Sequence, residues 1–114
     1  MKINKINALR LWEERYGNKL FAEDFHGNLM CKEGYGDPDY RVYRWGKTIY
    51  CGWNIHHILP VAHGGTNTKH NLICTNIVTN EKAGNRITYW IDDVLYQVQK
   101  NDKFGQHDIF ILNR

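Results

Sequence analysis

The sequence predicts an α+β fold, and three features of its text carry that expectation: a stretch of helical periodicity near the N-terminus, runs of alternating apolar residues near the C-terminus, and between them short apolar segments punctuated by Gly, Asp and Asn. At 114 residues the chain has room for one core of useful size, so residues 1–114 are expected to form a single domain. Hydrophobic residues make up 42% and charged residues 24%, a balance that excludes a disordered tail and a membrane-embedded chain. No apolar run approaches the roughly 18 residues of a membrane span. Met1-Lys2-Ile3-Asn4-Lys5 also lacks the apolar core of a signal peptide, so a cytoplasmic location with no membrane partner is expected.

Residues 1–19 read as an N-terminal helix. Ile6, Leu9, Trp12 and Tyr16 recur at helical spacing and are expected to face the core, and Gly17-Asn18 supplies the stop. Residues 20–52 read as short strands and turns, with Asp37-Pro38 preceding the run Arg41–Trp45 and Gly46 separating it from Lys47–Cys51. Arg41, Arg44 and Lys47 interleave there with Tyr43 and Trp45. That pattern fits either a basic, aromatic surface for phosphates and bases or a cross-strand packing ladder. From residue 87 to 114 the period becomes two: Ile87, Tyr89 and Ile91, then Asp92-Asp93, then Val94, Tyr96 and Val98, which predicts a hairpin. After the polar loop Asn101–Asp108, the run Ile109–Leu112 adds a strand.

Cys31, Cys51 and Cys74 are odd in number and form no C-x-x-C pair, so buried, reduced thiols are expected. The formal charge of +3 suits weak attraction to nucleic acid, and its positive excess falls in residues 1–19 and 53–86.

The chemistry is concentrated in residues 53–86, where four of the six histidines lie between positions 56 and 70. Neighbouring side chains on a strand point to opposite faces, so the adjacent pair His56-His57 needs two roles. A metal ligand beside a base facing the attacking water is the division of labour that phosphodiester hydrolysis uses. Gly64-Gly65 allows a wide loop, in which Asn67 through Asn71 are expected to satisfy backbone groups. Leu72-Ile73 then reads as a partner strand, and Thr75 to Lys82 as a helix stopped by Gly84.

The segments His56-His57-Ile58-Leu59-Pro60, Gly64-Gly65-Thr66-Asn67, Asn71-Leu72-Ile73 and Thr79-Asn80-Glu81-Lys82 resemble the HNH endonucleases, whose ββα-metal finger has this order of strand, loop, strand and helix. Asn71 follows His57 by 14 positions and Asn80 by 23, the spacing of members whose third motif residue is Asn. The resemblance covers close to a third of the chain. It implies a ββα-metal finger embedded in the domain and a metal-dependent endonuclease that nicks or cuts double-stranded DNA, of the small free-standing type found in bacteria and phages. In that reading His57 is the general base, a role suited to an imidazole, and His56 and Asn80 hold one divalent metal ion, Mg²⁺, Mn²⁺, Co²⁺, Ni²⁺ or Zn²⁺. Asn71 supports catalysis by bracing the loop and the base. Lys82 and Arg86 contact substrate phosphates, or else act only as cations at a helix end.

Two departures from the family pattern stand out. One residue separates Asn80 from Lys82 where members often have two, and His56 stands where many have Asp. Both named ligands are therefore neutral, unless Asp24, Asp37, Asp39 or Glu81 supplies a carboxylate in space. His63 and His70 fit no motif position and are expected at the surface or within the loop. Two other readings stay open: a catalytically silent HNH-fold binding or inhibitor protein, and a nuclease directed at RNA. The sequence does not specify an oligomeric state.

Overall fold

The computed structural model describes residues 1–101 and 104–114. Helix α1 (Lys5–Tyr16) begins where the Asn4 side chain accepts the Asn7 N–H, and ends where Gly17, at φ 64°, returns its own N–H to Glu13 O. It buries Ala8, Leu11 and Trp12, with Leu9 and Tyr16 half-buried against the same core. Ile6, expected on that face, is 65% exposed. Two residues of helix turn it roughly 200° from Ala8, so it points away from the line of contact.

All the sheets are antiparallel and built from strands consecutive in sequence. β1 (Phe21–Glu23) pairs with β2 (Leu29–Cys31), and β3 (Arg41–Arg44) with β4 (Lys47–Tyr50). The two-residue β3–β4 turn, Trp45-Gly46, has both residues left-handed, at φ 52° and 73°. β5 (Trp53–His57) pairs with β6 (Leu72–Asn76), and helix α2 (Ile77–Ala83) follows at once. β7 (Thr88–Ile91), β8 (Val94–Lys100) and β9 (His107–Ile111) form a three-stranded sheet in that order. Of the loop expected over Asn101–Asp108, residues 102 and 103 lie outside the described part.

The fold class is α+β, and the strand, loop, strand, helix order expected of residues 53–86 is present as β5, loop, β6 and α2. Its last boundary is shifted. Thr75 and Asn76, expected to open the helix, instead complete β6 opposite Asn54 and Trp53. Asn76 is held there because its Nδ2 donates to Leu29 O and Tyr50 O, while its Oδ1 caps α2 by accepting the Val78 N–H.

Two apolar clusters flank this unit. One joins α1 to Met30, Trp53, Ile55, Leu72 and Cys74; the other joins Ile58, Ile73 and Ala83 to Tyr89, Ile91, Val94, Tyr96 and Val98. Every residue of β6 is buried: Leu72 and Cys74 belong to the first cluster and Ile73 to the second. The Trp12 and Trp53 rings meet with centroids 4.9 Å apart in the first. Such large, fully buried side chains each contribute about 3 kcal/mol on area arguments. The alternation read from Tyr89 to Val98 is the inward face of the C-terminal sheet. The three cysteines are free and buried, and burial pushes the Cys74 thiol up to about 12, as suits an inert core thiol. No helix among the described residues is long and apolar enough to cross a membrane.

Candidate active site

Asn54 and His56 share one face of β5 because they are two residues apart, and α2 brings Asn80 against both. His56 Nδ1 lies 2.5 Å from Asn80 Oδ1, and Asn80 Nδ2 donates to Asn54 Oδ1 at 2.7 Å. The amide oxygen accepts, so His56 donates from Nδ1 in this arrangement. His56 is 5% exposed and lies face to face with the Phe25 ring, centroids 6.4 Å apart. Burial lowers its pKa, the hydrogen bond to Asn80 opposes that shift, and smaller electrostatic effects come from neighbouring His57, which lowers it, and Asp24, which raises it.

The sign of this shift sets a pH dependence. As pH falls below 6.5, the ordinary imidazole value, the unfolded chain takes up a proton that folded His56 resists, so stability held above that pH is lost on acidification. Thermal melts from about pH 8 to pH 5 should therefore decline more steeply for the parent than for His56→Gln. Equal slopes would show that His56 charges freely in the folded state.

His57, half-buried at the end of β5, places Nε2 2.6 Å from Asn67 Oδ1. With the oxygen accepting, Nε2 carries the proton and Nδ1 keeps its lone pair. Asn67, expected to satisfy loop backbone, thus spends its side chain on the imidazole. Asn71 ties the loop: its Oδ1 accepts the Leu59 N–H, and its Nδ2 donates to Leu59 O and Thr66 O. Gly65 closes the same throat, since a Cβ there would stand 1.7 Å from Leu59 O. Only glycine fits so close an approach.

His56, His57 and Asn80 line one cleft of about 330 Å³ with Ile55, Pro60, Val61 and Asn85. A larger hollow of about 550 Å³ beside Gly65, His70 and Phe104 includes Asn71 but neither histidine of the doublet. Lys82 and Arg86 do not line the histidine cleft: Lys82 Nζ lies 3.3 Å from Asp92 Oδ1, and Arg86 donates to the carbonyls of Lys82 and Ala83 at the end of α2. His63 and His70 are exposed, as expected.

The carboxylates do not assemble into a ligand set. Among the described residues no three His, Cys, Asp or Glu side chains gather to hold a metal ion. Asp24 is buried, but its Oδ1 accepts the N–H groups of His26 and Asn28 and its Oδ2 accepts the N–H of Asn76 at 3.0 Å. It organises the start of α2. Asp37 accepts the N–H of Asp39.

Three residues support the site in roles the sequence does not indicate: it gives Asn54 none, and it offers Asp24 as a metal carboxylate and Asn67 as a partner for loop backbone. Asn54 was legible through the two-residue period that puts it beside His56. Asp24 carried a local cue, the turn text Asp24-Phe25-His26-Gly27-Asn28, whose Gly27 adopts φ 91°. Asn67 carried none that named His57. No family model, curated protein or solved structure matches this chain.

Proposed function

We propose that the chain is a metal-dependent endonuclease of the HNH type that hydrolyses DNA phosphodiester bonds. The observation that supports this reading is the meeting, in one open cleft, of a His56–Asn80 donor pair and a separately oriented His57. An imidazole nitrogen and an amide oxygen are fitting ligands for a divalent ion, provided that His56 carries its proton on Nε2 when it ligates. Such an ion would place positive charge against the scissile phosphate and the leaving oxygen, with waters and substrate completing its shell.

The remaining chemistry belongs to the chain. His57 Nδ1 takes a proton from the attacking water as the water oxygen bonds phosphorus and the P–O3′ bond breaks; solvent protonates the leaving oxygen. Asn67 holds the ring in the tautomer that this needs. Asn71 and Gly65 fix the loop from which Asn67 reaches.

The test is nicking of supercoiled plasmid with added divalent metal, comparing the parent with His57→Ala and including an RNA substrate, since backbone chemistry does not itself distinguish sugars. Metal-dependent nicking lost in the variant supports the enzyme. Nicking by neither protein favours the silent binding protein, a reading helped by the fact that Asn54, Asn80 and His56 already form a closed polar chain. Because both proposed ligands are neutral, Mn²⁺, Co²⁺ or Ni²⁺ should support cleavage at lower concentration than Mg²⁺. A titration in which Mg²⁺ works at the lowest concentration would reject that ordering.

A further inference from the structure

The hairpin β3–β4 belongs to neither apolar cluster. Along one face stand Arg41 opposite Tyr50 and Tyr43 opposite Thr48, with Tyr43 74% and Tyr50 52% exposed. Trp45, at the tip, is 77% exposed. The Arg44 guanidinium lies 4.1 Å from the Phe21 ring centroid and 5.9 Å from that of Trp45. Residues 40–52 contain Arg41, Arg44 and Lys47 and no Asp or Glu. Trp45 is also in the wrong backbone: a turn with two left-handed residues takes Asn, Asp or Gly, and a bulky side chain at φ 52° is an outlier. The Arg44 contact leaves the Trp45 ring largely exposed, with little packing to offset the strain. A side chain that suits neither its turn nor its surroundings is explained by a partner outside the chain.

We infer that the β3–β4 ribbon binds an unpaired DNA strand adjoining a duplex, its exposed aromatic rings stacked on bases, with Arg41, on their face, and Lys47, beside the tip, on phosphates. The inference rests on the nuclease reading for its place in cleavage. The basic, acid-free ribbon matches a polyanion. Exposed rings select the unpaired form, because base faces in a duplex are covered by their neighbours and only edges and backbone are offered. The ribbon is also fixed to the site: β4 passes through Cys51-Gly52 into β5, and Tyr50 O accepts from Asn76, the cap of α2. From Trp45 to His57 the chain can span at most about 40 Å, close to twelve base pairs at about 3.4 Å each. The substrate class is thus a duplex whose unpaired branch or end lies within about one helical turn of the cleaved bond.

The experiment measures fluorescence anisotropy of labelled blunt and forked duplexes in EDTA, at fixed ionic strength, with the parent, Tyr43→Ala and Trp45→Asn. The last substitution installs Asn-Gly in the turn, so its melting temperature should hold or rise. The forked duplex should bind the parent about tenfold more tightly than the blunt one, as one stacked base supplies. Both variants should lose that preference. Equal affinity of the parent for the two duplexes, or a preference that survives Trp45→Asn, overturns the inference. So does parent self-association that Trp45→Asn abolishes, which would assign the patch to a second copy of the chain. Plasmid nicking is scored separately: a fork preference without nicking by the parent sinks the nuclease reading, and nicking without the preference sinks the inference.

Discussion

Asp24→Ala should destabilise the fold by about 3 kcal/mol or more, a drop in melting temperature on the order of 12 °C for a domain of this size. The carboxylate accepts three backbone N–H groups, and the one from Asn76 is buried where water cannot take its place. Removing the acceptor leaves those donors short of partners, and each fully buried orphan costs about 1–3 kcal/mol. Asp24→Asn keeps one acceptor oxygen and should lose roughly half as much. Since the Asn76 N–H marks the entry to α2, the loss should reach Asn80 as well. A melting point within about 3 °C of the parent would mean that solvent replaces the carboxylate.

If the proposed nuclease function holds, His57→Ala should reduce the metal-dependent nicking rate by about 10²- to 10⁴-fold, the range expected for loss of a general base. Asn67→Ala should cost about tenfold, because the imidazole remains but its orientation and tautomer are no longer held. The two losses should not add: in the double variant Asn67 has nothing left to orient, and the rate should match that of His57→Ala alone. Circular dichroism melts must accompany the rates, and both single variants should fold, as the His57–Asn67 bond lies at the surface. Full activity in His57→Ala would remove His57 from the mechanism.

Much of this architecture was legible because it is local. Helical spacing gave α1, the two-residue period gave β7 and β8, and the spacing of His57, Asn71 and Asn80 picked out residues that the fold joins within one unit. The misreadings have a common cause. Ile6 sits in a helix whose contact line is set by the body it packs on, which helical spacing alone does not choose. Thr75-Asn76 reads locally as a helix start, yet contacts from Leu29 and Tyr50, far away in sequence, hold it in the strand. Asp24 serves a residue 52 positions away. The carboxylate that the sequence offers as a metal ligand is, in three dimensions, committed to backbone.

The position of β6 between two apolar clusters also has a consequence for how the chain folds. Every strand pairs with a sequence neighbour, so each hairpin can form early with little loop-closure entropy. Neither half of the chain, however, can complete its core until β6 is in place, since Leu72 and Cys74 serve one cluster and Ile73 the other. Cooperativity therefore resides in the strand between the loop that carries Asn67 and the helix that carries Asn80. The β6 amides should exchange with solvent only through global unfolding, and the polar residues of the cleft are kept in register by the last part of the molecule to open.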